Sequence, residues 1–160
     1  MQVQLMQQPT RPAQRLVAAL ALVVAAILPA TSAAADMPRL QVRAGIHVVQ
    51  AEVAHTFDTR ARGLMFRKSM GPNQGMLFVF QENAPHCMWM RNTLIPLAVA
   101  FLDANGTIIN VEEMQPQTES SHCAARPAKY ALEMNAGWFA QKGVRPGTQL
   151  GGIDRAPPAQ

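Results

Sequence analysis

Pro96-Leu-Ala-Val-Ala-Phe-Leu102, Asp103-Ala-Asn-Gly106 and Thr107-Ile-Ile-Asn-Val-Glu112 run on without a break, and this stretch decides the fold. Two largely apolar segments of strand length, the second rich in β-branched residues, flank a four-residue group of turn formers, which is the signature of a β-hairpin. Upstream, Gly75-Met-Leu-Phe-Val-Phe80 is a continuous apolar run of the same length. Further upstream, Leu40 to Ala54 reads as two β segments with Gly45 near their turn. Its second segment keeps period two: Val48, Gln50, Glu52 and Ala54 take one face, His47, Val49, Ala51 and Val53 the other. Downstream, Tyr130-Ala-Leu-Glu-Met134 and Thr148-Gln-Leu150 read as strands, and Met88-Trp-Met90 as a short one.

Two short helices interrupt this pattern. Thr56 is placed to cap the first, Asp58 lies in its opening turn, and Gly63 ends it. The second spans Gly137 to Lys142 and stops at Gly143. The stretch from Gln115 to Lys129 is loop by composition, and residues 154–160 form a Pro- and Ala-rich flexible tail. Many short strands with frequent turns predict one compact, mostly β domain over residues 36–153, a β-barrel or a jelly-roll-like sandwich. The absence of a βαβ rhythm argues against a parallel sheet.

Residues 1–35 read as a secretory signal peptide. Arg11 and Arg15 precede an apolar run from Leu16 to Leu28, and Ala30 to Ala35 supply a small-residue cleavage site, with the cut after Ala33 or Ala35. The run holds 13 residues, and a spanning helix needs about 20, so no stable membrane anchor is expected after cleavage. The expected address is periplasmic or secreted. Cleavage removes two Arg and no acid, so 14 basic residues become 12 against 10 acids and the net charge falls from +4 to +2. Such a small, scattered excess gives no footprint for nucleic acid.

Cys87 and Cys123 both lie in the mature part, and in an oxidising compartment an even pair is expected to bridge. Unpaired buried thiols and a metal or redox pair stay open at this point. Each Cys follows a histidine, His86 and His122. Two Cys and two His suit tetrahedral zinc in chemistry, though adjacent ligands make poor geometry and a bridge consumes both thiolates. Met88 and Met90 beside His86, with His122, form a possible soft-ligand copper set, against which stands simple core filling by Met.

No phosphate loop, dinucleotide fingerprint, Gly-x-Ser-x-Gly elbow or His-Glu-x-x-His occurs, and no cofactor is implied. The richest segment is His86 to Thr93. Trp89, Arg91 and Asn92 combine an aromatic wall with directed donors, the make-up of a ligand pocket. The plainer role for Arg91 is an ion pair with Glu112 or Glu133. Arg60 and Arg67, around Gly63, could meet through a tight turn as an anion site or serve as surface ion pairs. For a hydrolase, Glu112, Glu113, Glu133, His55 and His122 are candidates, and no spacing selects a catalytic pair. The leading expectation is a non-enzymatic domain that binds a small molecule or a partner protein. Metal handling and hydrolysis are the alternatives, and oligomeric state stays open.

Four segments carry a resemblance. Thr59-Arg-Ala-Arg-Gly-Leu-Met-Phe-Arg67, Gly75-Met-Leu-Phe-Val-Phe80, Trp89-Met-Arg-Asn-Thr-Leu-Ile-Pro-Leu97 and Tyr130-Ala-Leu-Glu133 resemble, in order, the family called domain of unknown function 192. The resemblance runs from about Gln41 to Leu150. It implies a compact β-barrel or jelly-roll-like domain with short helices, often behind an export signal, and no particular activity. It implies an acid directly after the Ile-Pro-Leu element, where this chain has Ala98. It also fits a disulfide between the two His-Cys dipeptides.

Overall fold

The computed structural model describes residues 37–160. The signal peptide read at 1–35, with its cleavage site, lies outside them. Seven strands form one curled sheet: β1 (Arg39–Ala44), β2 (His47–Ala54), β3 (Gln74–Ala84), β5 (Leu97–Leu102), β6 (Ile108–Met114), β8 (Ala128–Asn135) and β9 (Leu150–Gly151). Their order is β6-β5-β8-β3-β2-β1-β9. β4 (Cys87–Met88) and β7 (His122–Cys123) make a separate two-stranded ribbon.

The sheet curls until its ends meet. Beyond β9, Gln149 forms an antiparallel bridge with Thr107, just before β6. The Ile108 amide donates to the Thr148 carbonyl and the Leu150 amide to the Gly106 carbonyl. The architecture is therefore the barrel-like alternative, a half-barrel pinched at one end. Its inner core draws on both edges of the sheet, with Val42, Ala44, Ala51, Leu77, Ala98, Ala100, Ile108, Leu132 and Leu150, and is plugged by Trp138 and Phe139 of α2 (Trp138–Gln141). Ala at four of these sites lets the strands curl tightly, because narrow barrel interiors have no room for larger side chains.

The outer face of the central strands is also buried. Met76, Phe78, Phe80, Leu97, Val99, Phe101 and Ala131 form a second core there, covered by Leu64, Met90 and Ile95 from the loops. This explains the continuous apolar runs in β3 and β5: strands buried on both faces lose period two. β1 and β2, with one face toward solvent, keep it.

The sheet is antiparallel at every strand pair but one. β2 and β3 pair in parallel, Gln50 opposite Gln74 through Ala54 opposite Phe78. The connection is a right-sized crossover, α1 (Phe57–Arg62) and the loop 63–73, which a parallel pair needs in place of a tight hairpin. A six-residue helix is too brief to leave a helical period in the sequence. The crossover carries α1 and Gly63 over the outer core. Residues 154–160, read as a flexible tail, run back to α1, where the Gln160 amide donates to the His55 carbonyl at 2.7 Å.

Candidate functional site

α1 is short but firmly started. The Thr56 hydroxyl accepts from the Thr59 amide, and the Thr59 hydroxyl accepts from the Thr56 amide at 3.0 Å. This reciprocal box satisfies two of the helix's free donors. Gly63 closes the helix at φ 47, and a Cβ there would lie 3.2 Å from the Phe78 ring. Only glycine gives both the turn and the close approach. Leu64 then drops into the outer core and Met65 turns to the same side as α1's Ala61.

Between this crossover and the sheet lies a cavity of about 450 Å³, within the usual range for small-molecule sites. Phe78 and Phe80 of β3 form its back. The ribbon side supplies His86, Cys87, Met88 and Trp89, and Thr93 and Glu133 complete it. His86 stacks on Phe80 with ring centroids 3.8 Å apart, and its Nε2 lies 3.0 Å from the Glu82 carbonyl. The rim is exposed and aromatic: Phe57 and Trp89 are both largely open to solvent.

Glu133 is the unusual group. It lies on β8, opposite Met76 of β3 and Val99 of β5. Those neighbours place its side chain on the apolar outer face, where it is only 3% exposed. Among the described residues no hydrogen bond or ion pair reaches its carboxyl, and the residue lines the cavity, to which its oxygens keep a little access. Burial pushes its pKa up from 4.5 to about 8, because a charged carboxylate loses water and gains nothing in return. At pH 7 it is therefore mostly a neutral acid. Thr93, also buried, has no side-chain partner among the described residues and lines the same cavity.

The sequence-expected residues divide. Trp89, Arg60, His86 and Met88 line the cavity; Arg91, Asn92, Arg67, Met90 and His122 do not. Arg60 donates to the carbonyls of His55, Val79 (3.1 Å) and Gln160 (2.9 Å), so its guanidinium knits α1, β3 and the 154–160 segment together. Arg67 forms a two-pronged pair with Glu52 instead of meeting Arg60. The strand expected at Met88-Trp-Met90 ends at Met88. The chain turns at Arg91 and Asn92, Asn92 taking φ 58, so strict alternation fails and Met90 goes into the outer core. Arg91 pairs with neither Glu112 nor Glu133. It lies 3.8 Å from the Glu119 carboxylate and 5.8 Å from the Trp89 ring centroid, an exposed arrangement of little energetic weight.

Of the hydrolase candidates, only Glu133 reaches the cavity. Glu113 accepts from the Gly137 amide, Glu112 from the Asn110 side chain, and the His55 ring lies 3.3 Å from the Pro158 carbonyl. Cys87 and Cys123 form a disulfide across the β4–β7 ribbon, where they face each other in register. Their thiolates are thereby removed from any ligand set. Among the described residues, no three His, Cys, Asp or Glu side chains gather where a metal ion would need them.

The four segments that carry the family resemblance each supply part of the cavity: Gly63 to Met65, Phe78 and Phe80, Trp89 and Thr93, and Glu133. The family described as "Uncharacterized ACR", domain of unknown function 192, matches residues 39–152. The chain belongs to that family. Among solved structures, this member of domain of unknown function 192 is similar to a proposed transcription regulator from Sinorhizobium meliloti 1021. That likeness has 38% identity and a TM-score of 0.71, over 74% of this chain and 96% of the other. It is also similar to a protein of unknown function from Novosphingobium aromaticivorans DSM 12444, at 33% identity and a TM-score of 0.70, over 78% of this chain and 93% of the other. No curated protein matches the chain. Ala98, the departure from the acid that the resemblance implies, belongs to the inner core and so lies on the opposite face of the sheet from Glu133. It leaves the cavity unchanged.

Leu64, Phe78, Phe80 and Thr93 were not anticipated as site residues. Glu133 was, but only as an ion-pair partner or a hydrolytic acid. One signal pointed to it: a lone acid inside Tyr130-Ala-Leu-Glu-Met134, sharing a face with Ala131 in a strand with apolar neighbours.

Proposed function

We propose that this is an exported binding domain that takes a small molecule into the cavity between α1, β3 and the β4–β7 ribbon. The observation that carries the reading is Glu133: a buried carboxyl with no partner among the described residues, lining a space of ligand size. A buried polar group is normally paired. Here the missing partner is the ligand. Apolar walls with a few convergent polar groups are the general form of such sites, and exposed Trp89 and Phe57 at the mouth give an incoming molecule an apolar landing surface. Export rests on the Leu16–Leu28 run and its Ala-rich cleavage site. The regulator description of the Sinorhizobium protein does not extend readily to this chain. The helices of the described residues have six, four and three residues, too few to read a DNA groove in the usual helical manner.

The test is fragment mapping by ¹H–¹⁵N correlation spectra, with a set mixing amines, alcohols, acids and sugars. Shifts gathered on residues 61–65, Phe78, Phe80, Trp89, Thr93 and Glu133 are expected. Shifts scattered over the surface, or none across the set, reject the binding reading.

A further inference from the structure

Resting on that binding reading, we propose that the occupant is a small amine, whose ammonium group meets the Glu133 carboxylate and the Thr93 hydroxyl while an apolar or aromatic stem lies between Phe78, Phe80, Met88 and Trp89. Of the polar side chains lining the cavity, the Glu133 carboxyl and the Thr93 hydroxyl belong to the two residues nearly closed to solvent. Around them stand rings, thioethers and Leu64. A sugar or polyol would bring more hydroxyls than this wall can satisfy, and each unpaired one is costly in an apolar site. An anion would have to approach the Glu133 carboxyl, while of the two arginines lining the cavity Arg60 is engaged by three carbonyls and Arg62 is exposed. An ammonium does the opposite. It gives Glu133 a counter-charge where the surroundings screen poorly, and it finds the negative faces of Phe and Trp rings, which attract cations.

The other charged and titratable groups around the cavity are Arg60 and Arg62 from α1, Glu82 from β3, and His86. Arg60 is held by three carbonyls. Arg62 and Glu82 are exposed, of opposite sign and open to salt screening. With Arg60 and Arg62 against Glu82 the rim carries one positive charge in excess, so the buried carboxyl, not the rim, supplies the attraction for an ammonium.

Proton linkage follows. Glu133 must lose its proton to pair with the ammonium, so binding releases a proton below pH 8. Affinity rises by up to about tenfold per pH unit toward 8 and then levels.

The experiment compares phenethylamine, 2-phenylethanol and 3-phenylpropionate by titration calorimetry at pH 8, with the wild-type chain and with Glu133→Gln. The three probes share a stem and differ in head charge. The amine is expected to bind about tenfold tighter than the alcohol, as a charged hydrogen bond exceeds a neutral one, and to lose that margin in Glu133→Gln. Heats measured at pH 7 in two buffers of different ionisation enthalpy should report proton release for the wild type alone. An alcohol or carboxylate that equals the amine, an amine preference that survives Glu133→Gln, or no binding by any of the three overturns the amine assignment. The fragment map separately decides whether the cavity binds anything, so the two failures are distinguishable.

Discussion

Glu133→Gln should stabilise the protein, and only at high pH. The unfolded chain gives up this proton near 4.5, while the folded chain keeps it until about 8. Between those values the folded state binds more protons than the unfolded one, so its stability falls as pH rises and levels off above 8. Moving a carboxyl from 4.5 to about 8 corresponds to about 5 kcal/mol, at 1.36 kcal/mol per pH unit. That figure is a ceiling, since the carboxyl faces a cavity that water can enter. Gln is close to the protonated acid in shape and cannot ionise. Urea midpoints at pH 5 and pH 8.5 give the measurement, with slopes checked for constancy. The two proteins should agree to within about 1 kcal/mol at pH 5. At pH 8.5 the variant should be more stable by about 2–5 kcal/mol. Every other acid and histidine is common to both chains, so their contributions cancel in the comparison. A variant less stable than wild type at both pH values would refute the reasoning, because it would mean that the carboxylate had a structural partner.

Three further outcomes are expected. Reducing the disulfide, or replacing both Cys87 and Cys123 by Ser, should cost about 3–4 kcal/mol, from the 36-residue separation it closes, read as a lower urea midpoint with and without reductant. Gly63→Ala should cost about 1–3 kcal/mol, because its φ of 47 and the nearby Phe78 ring both resist a Cβ; thermal melts report it, and an unchanged melt would remove the close approach from the account. Thr56→Ala should cost about 1 kcal/mol by opening the capping box, with hydrogen exchange at Thr59 and Arg60 rising before exchange in β5 and β8.

The strands were legible wherever burial leaves a pattern. β2 has one solvent face and shows period two; β3 and β5 have none and show unbroken apolar runs. The Asp103–Gly106 turn was legible because the Asp103 carboxylate itself holds the amides of Asn105 and Thr107, a local device written in local residues. The parallel β2–β3 pair was not. Its evidence is a contact between strands 20 residues apart in sequence, and no local residue records which direction a neighbour runs. The ribbon of β4 and β7 was hidden for a related reason. Two-residue strands carry no period, and what holds them in register is the covalent bond between Cys87 and Cys123. The site suffered most. Trp89 and Arg60 line the cavity, whereas Arg91 and Asn92 lie in the turn past Met88, where β4 ends.

Stability alone gives no reason for an acid at position 133. The neighbours in register, Met76 and Val99, are apolar, and the same face carries Phe78, Phe101 and Ala131. A leucine or methionine there would bury without penalty and fill part of the cavity, and replacing buried ionic groups by apolar ones is often stabilising. Arg67 and Glu52 show the contrasting case: two charges near the surface that satisfy each other and ask for nothing more. Glu133 has no such pair among the described residues. The crossover that forces α1 onto the outer face also roofs the space in front of its carboxyl, and the β4–β7 disulfide fixes the far wall. The helix cap, the Gly63 turn, the parallel pairing and the disulfide thus converge on one small volume beside a group that has no partner among the described residues. Groups whose position weakens the folded state tend to lie at functional sites, and this acid occupies such a position.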